Sequence, residues 1–414
     1  MVISTCNKYI VSNIQTNEHW RRAKEVAKMK KSISRLLTLV AITMICCIAL
    51  IGCSTPKQNV QTDGTAKDGQ KVETNAEDKK DETKSTDTVK DNTSEPAADS
   101  KLPISGIGAI VSTEVKAASS YKIGYIAKNT TNPYMVAQAK GVEYAGEVMG
   151  FEAITQAPAT ADSVEEQVKI MEDMIQQGVK AIIVHCADSN GIMPGVRKAQ
   201  DAGIIVLTIG TPAAEPTFLR TGVNYKETGE VIAEQIAEKL GGKGNVIILE
   251  GPPGAANAIE RLNGINDTFA KYPDIKIVAS QTANFKRTEG MQVTENLIQK
   301  YTDVNAIIGM NDESALGAVQ ALKAAGMSDV IVGGFDGSAD ATAAVESGDL
   351  DVTYNTDPYG SGFIACAYAV QYLNDGTTPP SDFVPFPSAE DKPLITADTV
   401  AEYKDKIAWW KVVQ

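Results

Sequence analysis

Two polar clusters stand directly behind short apolar runs in the second half of the chain. Asn311-Asp312-Glu313 follows AIIGM (306–310), and Asp336 follows VIVGGF (330–335). An amide that both donates and accepts, and a carboxylate that accepts, can hold a small ligand by hydrogen bonds. The two apolar runs are too short for helices, so each reads as a buried parallel strand. Between them Ala315, Ala318, Val319, Leu322 and Ala325 recur at spacings of three and four, which predicts a helix over Ser314 to Ala325 with Gly326 as its left-handed cap. The result is a β-α-β unit with a polar residue at the carboxyl end of each strand. Open parallel sheets bind ligands in the crevice outside those ends, so Asn311 and Asp336 are expected to face one pocket.

Other chemistry finds little support. There is no G-x-S-x-G elbow and no G-x-x-x-x-G-K-[ST] phosphate loop. His185 is the sole His after residue 120; it follows AIIV and reads as strand-end packing. No Cys and His cluster has zinc spacing, so no metal, cofactor or enzymatic activity is expected. Cys186 and Cys366 could pair, but a domain of this size needs no staple and both lie in apolar surroundings, which favours free buried thiols. The net charge of −13 argues against a nucleic-acid partner, which would require clustered Lys and Arg.

The chain divides by composition. Met29-Lys30-Lys31 and Arg35 precede an uncharged apolar stretch, Leu36 to Leu50, that ends in Leu50-Ile51-Gly52-Cys53. Basic flank, apolar run, small residue and Cys predict a lipoprotein signal peptide over 29–52, with Cys53 lipidated. The stretch is short for a membrane span of ~20 residues. Residues 1–28 are expected to be an upstream extension, because Lys24-Glu25-Val26 can be encoded as a ribosome-binding site placed before Met29. From Ser54 to Ser120 there is no aromatic residue, and nine Lys stand beside twelve Asp plus Glu. So polar a segment cannot bury a core, so 53–120 is expected to be a lipid-anchored disordered linker, with a span of roughly 45 Å for a random coil.

From Tyr121 onward a β-α-β alternation continues to the end. Strands are expected at 122–127, 151–156, 181–186, 204–210, 245–250, 275–281, 306–310 and 330–335. Helices are expected at Pro133 to Met149, Ser163 to Gln177, Met193 to Ala202, Lys226 to Leu240, Glu260 to Lys271 and Thr288 to Lys300. Most strands end in a short polar or glycine-containing turn: KNTTNPY, ADSNG, TPAAEP, GPPGAAN, TANFKR, NDES and DGSAD. Seven turns are more than one sheet would use, which implies two sheets facing each other across a cleft.

In order and spacing, NPYMVAQAKGVEYAGEVMGFE, QVKIMEDMIQQGVKAIIV, GPPGAANAIERLNGI, ASQTANFKRTEG, MNDESALGAVQALKAAG and IVGGFDGSADATAAVESGDL resemble the ribose-binding branch of type I periplasmic binding proteins. The resemblance covers residues 121 to 370, and the last forty or so match more loosely. It implies two Rossmann-like α/β lobes with parallel sheets: 121–223 plus 357–386, and 224–356 plus 387–414. It places a three-segment hinge near Gly222 to Tyr225, Asn355 to Pro358 and Pro385 to Ala389. Such lobes close on a ligand, and a transporter or chemoreceptor reads the closed form.

The resemblance further implies that Arg261 clamps the sugar and that Asn311 and Asp336 donate to and accept from adjacent hydroxyls. Asn132 and Asn257 occupy polar contact positions. Tyr134 and Phe285 match aromatics that cover apolar sugar faces, and Thr356 or its neighbour Asn355 a hinge-proximal amide. Departures stand beside these matches. Gly210-Thr211 replaces an Asp-Arg pair, Met135 replaces a second aromatic, and Lys128 stands where a small polar residue is usual. Ribose is therefore not favoured above other sugars or polyols. The implied function is a monomeric extracytoplasmic lipoprotein on a Gram-positive cell surface that delivers a sugar or polyol to an ABC permease and ATPase complex. Its rival is a lipoprotein that presents a sugar or autoinducer to a histidine kinase or chemoreceptor. A repressor of the same fold would carry a basic helix-turn-helix where this chain has a lipid signal.

Overall fold

The computed structural model describes residues 114–386, 394–406 and 408–412. The expected signal segment, Cys53 and most of the linker therefore lie outside the described residues. Elements alternate as β1 (Lys122–Ile126), α1 (Pro133–Met149), β2 (Glu152–Gln156), α2 (Val164–Gln176), β3 (Ala181–Val184), α3 (Met193–Asp201), β4 (Ile205–Ile209) and β5 (Leu219–Gly222). The second series is α4 (Tyr225–Lys239), β6 (Lys243–Glu250), α5 (Ala256–Phe269), β7 (Asp274–Thr282), α6 (Arg287–Lys300), β8 (Ala306–Gly309), α7 (Asp312–Ala325), β9 (Ile331–Gly333) and α8 (Ala339–Ser347). The chain ends with β10 (Thr353–Tyr354), α9 (Pro358–Asp375), β11 (Phe383–Pro385), β12 (Leu394–Ile395) and α10 (Val400–Lys406).

Two parallel sheets result. One has the order β11-β5-β4-β3-β1-β2 and the other β7-β6-β8-β9. The antiparallel pair β10 and β12 joins the second through single bridges, Gly333 to Val352 and Asp336 to Asn355. Strands this apolar need cover on both faces. In β3, Ala181 and Ile183 face α1 and α9 with Phe363 and Cys366, whereas Ile182 and Val184 face α2 and α3 with Met171, Met174 and Val196. In β6, Ile247 and Leu249 meet Val319 and Leu322 of α7, and Val246 and Ile248 meet Ile232 and Ile236 of α4. The strand period of two therefore feeds two cores per sheet. Each fully buried Ile contributes roughly 1.5–3 kcal/mol.

The chain passes between the sheets after β5 at Val223, between β10 and α9 at Asn355 to Asp357, and after β11 beyond Phe386. The last crossing runs into 387–393, outside the described residues. Four strands were not expected: β5, β10, β11 and β12 are two to four residues long. They are held by their neighbours' ladders. Helix α5 begins at Ala256, before the expected Glu260, because the small residues Ala255 to Ala258 already turn, with Ala258 N donating to Ala255 O at 3.0 Å.

The linker expected to reach residue 120 ends earlier. Ala117 N donates to Met149 O at 2.7 Å, Ala118 N donates to Asn374 Oδ1 at 2.8 Å, and Val115 and Ala117 pack against the first core. These apolar side chains gain more from the lobe than from water, so the segment docks.

Candidate functional site

The strand ends and helix starts of both lobes converge on a cavity of about 310 Å³, lined by Asn132, Tyr134, Asn257, Arg261, Phe285, Asn311 and Asp336 among others. Seven of the eight ligand contacts expected from the sequence thus meet in one place. Thr356 is not brought there. It stands beside the lining, buried, with its N donating to Asp336 O at 3.5 Å and its side chain next to Tyr134. Lys128, Met135, His185 and Tyr225 line the cavity as well.

Each polar group is set by local structure. Asn132 caps α1, its Oδ1 accepting from Tyr134 N at 2.9 Å. Asn311 caps α7, so the helix begins at Asp312 and not at Ser314; its Oδ1 accepts from Ser314 N at 2.9 Å and its Nδ2 donates to Phe285 O at 3.1 Å. Asn257 Oδ1 accepts from Thr211 Oγ1 at 2.9 Å. An amide nitrogen carries two hydrogens, so Asn311 keeps one to spare and Asn132 and Asn257 keep both for a ligand.

Arg261 is buried on α5. Its Nε donates to Thr228 Oγ1 at 3.4 Å, one terminal nitrogen donates to Met310 O, and the guanidinium lies over Phe335 at 4.3 Å and Tyr225 at 5.1 Å. The other terminal nitrogen stands 3.9 Å from Asp336 Oδ1. Asp336 occupies a φ of 122°, a conformation costly for any residue but Gly. Neighbours pin it there: its N donates to Tyr354 O at 2.8 Å, and its carbonyl accepts from Trp409 Nε1 at 2.8 Å. Burial pushes its carboxyl well above the usual range, and Arg261 pulls it back. Next to it Asp312, raised by burial to about 7, accepts from Thr353 Oγ1 at 2.6 Å and from Ser338 N at 2.8 Å.

Phe285 and Asn284 stand in the left-handed region with φ of 60° and 50°. That turn swings the Phe285 ring into the cavity, where the Lys128 ammonium lies 5.2 Å from its centroid. His185 does more than pack at a strand end. It lines the cavity, presents an edge to Tyr134 with ring centroids 6.0 Å apart, and bonds Gln138 Oε1 at 2.8 Å through Nδ1. Tyr125 also donates to that oxygen, at 3.0 Å, and His185 Nε2 meets Thr211 Oγ1 at 3.3 Å. Burial and Lys128 hold the imidazole neutral. Cys186 and Cys366 are free and buried.

The lobes touch across the mouth. Ser189 N donates to Gly254 O at 3.1 Å, Ala256 N donates to Ser189 Oγ at 3.3 Å, and Arg220 of β5 grips Glu260 of α5 at 2.7 and 3.2 Å. A Cβ at Gly254 would meet the Asp188 carboxylate, so a larger residue there would have to push that side chain aside. Two α/β lobes closed on a polar, ring-walled cavity define a two-lobed solute-binding protein.

The chain belongs to the periplasmic binding protein family, in the ribose-binding-like branch of type I. Its residues 123–378 match the family described as periplasmic binding protein domain. The ribose import binding protein of Bacillus subtilis (strain 168) is 36% identical over 256 residues, which span 61% of this chain and 82% of that protein. An ABC transporter periplasmic solute binding protein from Actinobacillus succinogenes 130z, solved with bound D-allose, has a TM-score of 0.64 at 32% identity and covers 68% of this chain and 100% of its own. An ABC transporter solute binding protein from Bacillus halodurans C-125 with bound myo-inositol has a TM-score of 0.63 at 29% identity, covering 69% of this chain and 98% of its own.

Proposed function

We propose that the chain captures a sugar or polyol in the interlobe cleft and delivers it to an ABC importer. The observation that carries this is the facing of Arg261 and Asp336 inside one cavity, with free amide hydrogens on Asn132, Asn257 and Asn311 around them. Vicinal hydroxyls can accept from the guanidinium and amides while donating to the carboxylate. Phe285 and Tyr134 supply faces for the apolar side of a sugar ring. The cavity lies within the ~300–1,000 Å³ range of small-molecule sites. Relatives named as import binding proteins or solved with bound allose and inositol support the same class.

The remaining assignments rest on the sequence. They are a binder and not an enzyme, a lipid anchor at Cys53, a signal at 29–52, a linker reaching the docked segment at Val115, a monomer, and a permease and ATPase complex as partner at the outer face of a Gram-positive membrane. A thermal-shift screen against pentoses, hexoses, inositols, linear polyols and nucleosides tests the central claim. Stabilisation by a sugar or polyol is expected, and ligand at a hundredfold excess over Kd adds about 2.7 kcal/mol. Response to none of them, or to nucleosides alone, sinks it.

A further inference from the structure

We propose that the ligand is a monosaccharide-sized polyol carrying one carboxylate, a sugar acid, and that this carboxylate pairs with Lys128 in the cleft. The inference rests on the sugar or polyol reading and narrows it.

Lys128 stands two residues past the end of β1 and is only 4% exposed, yet it lines the same cavity as Arg261 and Asp336. Its ammonium makes no hydrogen bond or ion pair with any described residue; its neighbour is the Phe285 ring at 5.2 Å. The other cations lining the cavity have carboxylate partners. Arg287 is held by Glu313 and Asp340, each at 2.7 Å, and Lys286 by Glu289 at 2.8 Å. Asp162 sits partly exposed at the mouth, its Oδ1 accepting from Asn129 Nδ2 at 2.9 Å. Arg261 and Asp336 face one another.

Of the cations that line the cavity, Lys128 is therefore the one with no ion-paired carboxylate among the described residues. Burial pulls the Lys128 ammonium down, and Asp162 and Asp336 oppose this only from a distance. A neutral sugar filling the cavity would strip water from Lys128 and leave its charge poorly matched, whereas an anionic ligand brings the missing charge. A single unpaired ammonium suits a monoanionic carboxylate better than a dianionic phosphate. Lysine, as a point charge with three donors on a flexible stem, can reach either oxygen of such a group.

The test is calorimetric titration with matched probes: xylitol against xylonate, glucose against gluconate and glucuronate, and ribose against ribose 5-phosphate. At least one carboxylate should bind tighter than its neutral partner by about tenfold or more, and Lys128→Gln should lower that acid-to-neutral ratio by about tenfold while Lys128→Arg keeps it. Lys128→Met, checked for folding by thermal melting, serves if the Gln variant is unstable. Neutral members binding tighter than every acid, or a ratio unmoved by Lys128→Gln, overturns this inference while leaving the sugar or polyol function standing. Tightest binding by the phosphate overturns the carboxylate assignment. Binding of no probe overturns both.

Discussion

The guanidinium of Arg261 stops 3.9 Å from Asp336 Oδ1, near enough for attraction and too far for a hydrogen bond. The gap leaves donors of one residue and acceptors of the other aimed at the same cavity. Arg261 cannot move closer without giving up Met310 O and the Phe335 ring. A ligand hydroxyl can join the two.

Truncating either charge should therefore weaken binding steeply. Hydrogen bonds to charged groups contribute about 1.5–3 kcal/mol, so Asp336→Ala or Arg261→Ala should each raise Kd by roughly tenfold to a hundredfold. The charge left behind pushes the loss toward the upper end. Lys243→Ala, exposed at the start of β6, should leave Kd unchanged. Calorimetric titration of folded variants decides the matter, and parent-like binding by both truncations would show that recognition lies elsewhere.

Phe285→Ala should weaken binding by removing an aromatic face worth roughly 0.5–1.5 kcal/mol. The loss should be similar for every sugar that binds, because a ring face discriminates less than directional hydrogen bonds. A loss confined to one epimer would contradict this role.

Asp312 gives a pH signature in stability. Its folded carboxyl is raised to about 7 from 3.8, so the folded state holds the proton more tightly than the unfolded chain. Protons bound by the native state exceed those of the unfolded state between these values, and this group's contribution to stability must fall as pH rises from about 4 to about 7. Asp312→Asn should flatten that fall in urea melts run across the interval. Asp312→Ala should instead cost about 1–3 kcal/mol for each donor it orphans, at Thr353 Oγ1 and Ser338 N. An unchanged pH slope in the Asn variant would refute the assignment.

Closure across the mouth can be probed through Arg220 and Glu260, whose side chains are 22% and 34% exposed. Pairs this accessible contribute about 0.2–1 kcal/mol and are screened by salt. Arg220→Ala should raise Kd a few-fold at low ionic strength and hardly at all in 1 M salt. Small-angle scattering of the domain should also show compaction on ligand addition. An identical radius of gyration with and without a confirmed ligand would argue against hinged capture.

Much of this architecture is legible in the amino-acid sequence. The interior strands announce themselves because both faces of the sheet are covered there, which demands unbroken apolar runs such as AIIV and NVIILE. Strands β5, β10, β11 and β12 carry no such run, since LRTG or FVP owes its extended form to a neighbour's ladder. Capping residues were visible as residue types but not as caps. Asn311 was expected to serve the ligand, and half of its amide serves α7. Lys128 was marked only as a departure from the family pattern, because nothing local shows that a charge behind a strand will be enclosed by the opposite lobe. Thr356 stands beside the cavity and outside its lining, with its N on Asp336 O and its side chain next to Tyr134.

Trp409 lies far along the chain from the cleft, almost wholly buried, with its indole N–H on the Asp336 carbonyl. Indole emission depends on that bond and on the field of the charges around it. The protein thus carries its own optical probe, wired to the backbone of the residue expected to touch the ligand, and any shift of that loop on occupancy reaches the fluorophore through one hydrogen bond. The tail from Val400 onward is accordingly part of the instrument: removing it would take away the indole and one of the hydrogen bonds that hold Asp336 in its strained φ.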